Sequence, residues 1–504
     1  MEVNRLNGSR NSLFLDKLRA PCVAAIISDV IRRSLPVFAR LLALVLCLML
    51  CLPACAEEQP AIPKFSNPVV HDPSIILAED GYYYIYGSHM AAARSLDLIR
   101  WETVSKDVTR CTLVDNPGAE MKEALTWAQA GTFWAPDVQQ LADGRYYMYY
   151  CACEGSSPLS AMGLAVSDKP EGPYKDLGVF LKSGQPGYDA TVLPNVVDPH
   201  TFFDKDGKLW MVYGSYSGGI YILGMDAETG FPLPGQGYGK KLLGKNHARI
   251  EAPYILYSPD TDYYYLFLSF GGLNAADGYN IRVCRSKNPD GPYVDALGQD
   301  MILCGGADGT FFNDKDYEGF GVKLMGGYQF AVIDSDPKRV QTAYHSPGHN
   351  SAIHDPATGR YFIVFHTRFA GRGETYNVRV HQFYFNEEGW PVVSPIRYAG
   401  ESPAPVAQDV QAGLYKLILH GRDINGVEHV SRLATLHPDG SVTGDLAGTW
   451  ACADGTNVTL TLDGVTYTGV MHTALDSNTS VWTTCFTALD ASGAALWGMR
   501  AAGQ

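Results

Sequence analysis

The chain has 504 residues and a net charge of −14, from 39 Lys and Arg against 53 Asp and Glu. With no basic run in its body, that balance excludes a nucleic-acid binder and points to a neutral or small substrate rather than a polyanion. Hydrophobic residues at 46% and charged residues at 18% describe an ordinary folded protein with room for two or three domains. The 12% aromatic share suits β-structure and sugar-stacking surfaces equally.

Arg32, Arg33 and Arg40 precede an apolar run from Leu41 to Leu52, and small residues follow at Ala54, Cys55 and Ala56. This is the order of a secretory signal peptide, here residues 1–56. A run of about a dozen residues falls short of the roughly 20 that cross a membrane, so no span is expected after processing and the protein reads as secreted. Cys55 also loosely fits a lipoprotein processing site, although Pro53 spoils the match. A lipid anchor at Cys55 and an uncleaved anchor are the alternatives to simple secretion. The stretch before Arg32 is long for a signal sequence, which leaves a downstream start codon open.

Of the eleven cysteines, Cys47, Cys51 and Cys55 lie in or next to the signal. The others are scattered, and no C-x-x-C pair marks a zinc site. Cys151 and Cys153 stand two apart on a predicted strand, on one face and poorly placed to bond each other. Cys452 and Cys485 are a candidate pair.

The body of the chain is organised by a turn followed by an aromatic strand. It recurs over residues 79–88, 142–150, 205–215, 260–269 and 358–366. Asp-Gly or a similar pair between apolar strands is a hairpin signal. Gly81, Gly144 and Gly207 stand 63 residues apart. Five strand–turn–strand units, each too small to bury its own face, predict stacking, and the period leaves room for four short strands per unit. The expected fold is all-β: a five-bladed β-propeller over 57–404, then a small C-terminal β-barrel or sandwich over 405–504. A linker-like stretch from Glu401 to Pro405 separates them.

Just upstream of each hairpin lies a motif with a functional residue type: His71 and Asp72 before Pro73, Trp134 to Asp137, Asn195 to His200, Arg249 to Tyr254, and Gly348 to Ser351. Asp72 precedes Gly81 by 9 residues and Asp198 precedes Gly207 by 9. Glu251 precedes Asp262 by 11, and His349 precedes Gly359 by 10. Near-equal offsets in equivalent units predict equivalent places on the blades, converging on the propeller axis if the motif strand is innermost. One Asp-Pro alone is most simply a turn. Three carboxylates at such positions, flanked by Val69, Val70, Val196, Val197 and Ile250, do not read as surface. Gathering them costs desolvation and repulsion, which proteins tolerate mainly at functional sites, and raises at least one pKa toward the range of a general acid. Two carboxylates flanking a glycosidic bond are the minimal apparatus for its hydrolysis, and a third can tune the acid. Trp134, Tyr216 and Tyr254 offer flat faces for sugar rings. His71, Asn195, Ser215, Ser217, His247 and Arg249 are candidates for binding hydroxyls, and Gly155 for close approach of a sugar to the backbone. Each has a packing role as its alternative. His349 is either a satisfied core residue or the cap of a water-filled axial cavity holding a cation.

From about Pro68 to Ala399 these motifs resemble glycoside hydrolase family 43, in particular its two-domain endo-α-1,5-L-arabinanases. The longest stretch of resemblance runs from Asp198 to Ser217, with Gly348 to Ser351 and Phe365 to Gly373 adding to it. The C-terminal region resembles the small β-barrel of that subgroup. The resemblance implies that Asp72 is the general base, Glu251 the general acid and Asp198 the carboxylate that raises and orients the acid. It implies inversion of configuration, with Asp72 and Glu251 roughly 6.5–9.5 Å apart. It also implies a calcium ion beside His349; because calcium prefers six to eight oxygens, most of its ligands would be water and its role structural or electrostatic. The expected partner is arabinan of plant cell-wall pectin, and a monomer is expected. The alternatives are an exo-acting α-L-arabinofuranosidase or β-xylosidase on the same scaffold, a non-catalytic carbohydrate-binding propeller, and a cell-surface scaffold protein.

Overall fold

In the computed structural model, which describes residues 61–155, 158–337 and 342–502, each aromatic repeat forms the second strand of a blade; the first four blades are four-stranded and antiparallel, and the fifth is a six-stranded sheet. The signal segment and Cys55 lie outside those residues. The second strands are Tyr83–Gly87, Tyr146–Cys153, Leu209–Tyr213, Tyr263–Phe270 and Arg360–Phe369. The first strands, Ser74–Leu77, Trp134–Gln140, His200–Phe203, Ile250–Ser258 and Thr342–Asp355, touch one another in a closed circle around the axis. The motif strand is therefore innermost. Among the described residues the only α-helices are the short Pro117–Glu120 and Lys122–Ala128. None of these residues forms a helix long and apolar enough to cross a membrane.

Blades pack face to face, so a second strand is covered on both sides, and every residue of Tyr146–Cys153 is buried. That is why the repeats are aromatic: large rings fill the wedge between blades, and each phenol still needs an acceptor. Tyr86 Oη donates to the Pro170 carbonyl at 2.8 Å, Tyr149 Oη to Gly230 at 2.8 Å and Tyr213 Oη to Tyr238 at 2.7 Å. These tyrosines are core, not sugar platforms. Tyr254 joins them: it is buried, stacked on His200 at 3.5 Å, and its hydroxyl donates to the Ile75 carbonyl.

Neighbouring blades are tied near the axis by buried polar contacts. Ser74 Oγ donates to Asp137 Oδ1 at 2.5 Å (blade one to two), and Thr201 N and Oγ1 donate to Asp137 Oδ2 at 2.7 and 2.6 Å (three to two). His200 Nε2 lies 2.9 Å from the Ile255 carbonyl (three to four). His349 N donates to Ser269 Oγ at 2.8 Å (five to four), and Ser351 Oγ to the Pro73 carbonyl at 2.7 Å (five to one). Asp137, the carboxylate of the blade-two motif, is thus a tie among three blades. Burial alone would raise it, but His200 and its hydroxyl donors hold it below the usual range.

The C-terminal region is a closed eight-stranded barrel that begins at Gly413–Leu419 and closes onto its last strand, Ala495–Arg500. Closure leaves no exposed edge. Leu417, Leu460 and Phe486 fill its interior, while Ile418, Val470 and Trp497 on the outer face share one apolar cluster with Tyr265, Phe365 and Trp390 of the propeller. Residues from Ala61 on form one compact unit. The stretch read as a linker is not a free tether: Glu401 is buried beneath the Ala399 amide, which donates to it at 2.7 Å, and Val406 is already in the barrel core. The candidate pair Cys452 and Cys485 is not a disulfide. Both are buried thiols, because Cys452 points into the barrel and Cys485 packs on the outer, propeller-facing cluster. Cys151 and Cys153 are not joined by a disulfide either.

Asp137→Asn turns an amide donor toward the Thr201 N–H and removes a charge-assisted acceptor. It should cost about 2–4 kcal/mol of stability, read as a lower melting temperature. Activity per folded molecule should stay within about twofold, since Asp137 faces the blade seams.

Candidate functional site

In or just before each inner strand one ring residue adopts the left-handed backbone: Asp72 (φ 56°), Ala135 (22°), Asp198 (55°), Ala252 (56°) and, midway along its strand, His349 (43°). Positive φ is uncommon outside glycine and costs of order 1–3 kcal/mol, so five copies in one ring mark a constraint repeated by the fold. Pro73, Pro136, Pro199, Pro253 and Asn350 follow in turn. The ring surrounds an axial cavity of about 20 Å³, enough for one water-sized occupant. Asp72, Asp198 and His349 are equivalent, as their offsets predict. Glu251 is not: Ala252 takes its ring position, and Glu251 stands one residue earlier. It faces a separate cleft of about 700 Å³ on the same end of the propeller. Blade two places Ala135 in the ring and contributes no carboxylate there.

Asp72 is the most tightly held member. Ser88 Oγ donates to Oδ2, His71 Nδ1 lies 2.7 Å from Oδ2, and His349 Nδ1 lies 3.0 Å from Oδ1. Burial alone would raise its pKa, but the charges of His349 and His71 outweigh it and hold the carboxyl well below the usual range. His349 is the counterpart: burial disfavours its charge, Asp72 and Asp198 favour it, and the ring is pushed up to about 9. Asp198 accepts from the Ala252 amide at 3.2 Å. Burial, opposed by His349 and reinforced by Glu251 and Asp72, pushes it up to about 7. The raised carboxyl expected of the trio is therefore Asp198. Glu251 is fixed by two hydroxyls, Ser215 Oγ on Oε2 at 2.8 Å and Tyr279 Oη on Oε1 at 2.7 Å.

Of the sequence candidates, Gly155, Asn195, Ser215, Tyr216, Ser217 and His247 line the cleft together with Arg249 and Glu251. Among the described residues His71 and Trp134 are not in its wall. His71 stacks on His366 at 4.1 Å, and Trp134 donates its Nε1–H to the Cys153 carbonyl at 3.0 Å. Arg249 is engaged as well as lining: its Nε and Nη2 both donate to Asp314, the former at 3.0 Å. That pair anchors the segment carrying Phe311 and Phe312, two exposed rings that line the cleft against His247 and Tyr216. Backbone strain collects here too, at Tyr216, Ser217, Asn246, His247 and Phe312.

Sequence reasoning missed Ser88, Tyr279, His366, Phe311 and Phe312. A signal for two of them lay in the repeats: Ser88, Cys151, Ser269 and His366 each stand 7 residues beyond the turn position of Gly81, Gly144, Asp262 and Gly359. Tyr279 has no such signature. Its ring lies on Gly348, where any Cβ would meet it at 2.0 Å.

Among the described residues the tightest group of potential metal ligands is His71, Asp72 and His366. Its two imidazoles suit a transition metal better than calcium, and Asp72 already meets three partners there. His349 spends Nδ1 on Asp72 and keeps Nε2. Two carboxylates and one imidazole fit a cation by charge, but water would have to complete the oxygen set.

Two buried carboxylates around an axial cavity, with a third in the wall of an open cleft, on a five-bladed propeller define a glycosidase-type site. Residues 65–313 match "Glycosyl hydrolases family 43", and 395–498 match a "C-terminal lipocalin-like domain". The chain is 54% identical to extracellular endo-α-(1→5)-L-arabinanase 2 of Bacillus subtilis over 446 residues, 87% of this chain and 94% of that one. It superimposes with a TM-score of 0.84 on a family 43 glycoside hydrolase from Bacillus licheniformis, 53% identical, covering 88% of this chain and 100% of that one. It superimposes at 0.83 on endo-1,5-α-L-arabinanase from Thermotoga petrophila, 47% identical, covering 87% and 99%. This chain belongs to glycosyl hydrolase family 43.

Tyr279→Phe keeps the ring on Gly348 and removes one of the two donors that fix Glu251. On a substrate whose leaving oxygen needs protonation, kcat should fall about tenfold. On a substrate with an acidic leaving group the loss should be under about twofold, and comparing the two substrates at matched folded fraction checks it.

Proposed function

We propose that this chain is a secreted hydrolase that cleaves internal α-1,5-L-arabinofuranosidic bonds of arabinan with inversion. The observation that carries it is the placement of Glu251 in the wall of an open cleft, one residue out of the axial ring that holds Asp72 and Asp198. Asp72, kept anionic by His349 and His71, is suited to take a proton from water attacking the anomeric carbon. Glu251, held by Ser215 and Tyr279, is suited to protonate the departing oxygen. Asp198 sits between them as a carboxyl pushed up by its neighbours, and its amide bond to Ala252 ties it to the residue after Glu251. The polymer lies in the cleft, with Tyr216, Phe311 and Phe312 as apolar surface for furanose rings. Endo action is supported by the relatives at 54% and 47% identity, both named endo-arabinanases, and secretion by the leader-like N-terminus and an extracellular relative.

A calcium ion beside His349 belongs to the same proposal. A neutral His349, with its Nδ1–H on Asp72, would offer Nε2 to the ion; water would complete the shell, and the cation's charge would take the place of the imidazolium's against the axial carboxylates. Metal analysis should find calcium in the purified wild type and little in His349→Ala at equal folded fraction. No calcium in either removes the ion.

Linear α-1,5-arabinan should give a ladder of short oligosaccharides when treated with protein lacking residues 1–56. Arabinose alone would mean exo action, and no product would remove arabinan as the substrate. The first product seen by proton NMR should be the β-anomer. Glu251→Ala should lose cleavage of arabinan by about 10²-fold or more, yet retain cleavage of an aryl arabinofuranoside whose leaving group needs no proton. Equal losses on both would take the acid role from Glu251.

A further inference from the structure

The barrel reaches back into the propeller through the segment between its first two strands. His429–Val430 adds a parallel strand beside Tyr328–Phe330 on blade five. Just before it, two buried cations of blade four grip the segment's carbonyls. Lys323 Nζ donates to the Asp423 carbonyl at 2.6 Å, and Arg282 Nη2 to that of Arg422 at 2.6 Å. A buried ammonium or guanidinium is tolerated only when its donors are satisfied, so these bonds fix where the segment runs.

What the segment runs against is the back of the loop Gly271–Gly278. Ile424 packs in the same apolar cluster as Phe270. A Cβ on Gly278 would meet the Asn425 carbonyl carbon at 2.5 Å, and one on Gly426 would meet the Ala276 oxygen at 2.0 Å. The two backbones are therefore in direct contact with no side chain between them. The front of this loop, through Gly272, Leu273, Asn274 and Asp277, lines the cleft. Its tip is also held from blade five: Ser346 Oγ donates to the Asn274 carbonyl at 2.6 Å, and the neighbouring His345 lies 2.7 Å from the Glu428 carboxylate. Segment Arg422–Glu428 thus touches the loop directly and, through His345, the residue that clasps it.

We propose that the barrel domain is a positioning element of the substrate site: its segment Arg422–Glu428 is the back wall of the loop Gly271–Gly278 and sets the width of the polymer cleft. The residues involved do not touch the reacting atoms. Their effect falls on how a polysaccharide chain is seated, and to that extent the inference rests on the substrate reading above.

Gly426→Ala in the full chain inserts a methyl group where the Ala276 oxygen sits, and Glu428→Gln removes only the charge facing His345. In Gly426→Ala, hydrogen exchange at the amides of 271–278 should quicken about tenfold while the barrel strands keep their protection. The KM for linear arabinan should rise about five- to tenfold with kcat within about twofold. Glu428→Gln should shift both in the same direction by a smaller factor. Unchanged loop exchange and KM in a folded Gly426→Ala overturn the proposal. So does exchange that quickens throughout the barrel with activity tracking the folded fraction. If Gly426→Ala does not fold, Glu428→Gln decides alone: faster loop exchange supports the role and unchanged exchange overturns it. Loop exchange needs no substrate, so a wild type inert toward arabinan would remove the substrate reading and leave this test standing.

Discussion

Five blades must close into a ring around a narrow axis lined by the inner strands, and the buried polar groups there depend mainly on one another for hydrogen bonds. Everything else in the molecule follows from that closure. Ser74, Asp137, Thr201, His200, Ser269 and Ser351 tie each blade to the next. Because buried donors and acceptors cost most when unpaired, these ties fix the rotational register of the blades. The left-handed ring residue of each blade is part of the same geometry. Two of the five carry carboxylates and one an imidazole, so closing the ring also assembles the charged floor of the site.

The floor and the cleft divide the electrostatic work. On the axis, Asp72 and His349 neutralise one another at 3.0 Å and Asp198 is left with the proton-holding position. In the cleft wall, Glu251 has no cationic partner among its hydrogen bonds, only two hydroxyls. The one-residue offset between Glu251 and the ring therefore separates an ion-paired carboxylate from one held by hydroxyls.

The barrel is joined to the propeller by two kinds of contact. An apolar face around Trp497 supplies adhesion, and buried cations on backbone carbonyls supply position. Adhesion alone would tolerate sliding. Directed bonds from Arg282 and Lys323 do not, and they hold the segment that meets the cleft loop.

The sequence by itself determined the repeat, the five hairpins and the equivalent places of Asp72, Asp198 and His349, because a repeat converts equal spacing into equal position. It also carried the family through motifs that are local strings. Only the tertiary structure decided the rest. Glu251 is a ring neighbour rather than a ring member, because the ring position in blade four went to Ala252. Asp137 serves the seam, Tyr254 the core, and Arg249 a partner 65 residues away in Asp314. Cys452 and Cys485 face opposite sides of one barrel wall. Phe311, Phe312 and Tyr279 reach the site from loops outside the repeat. Each of these depends on contacts between residues far apart in the chain, and spacing along the chain carries no record of which distant surfaces meet once the ring has closed.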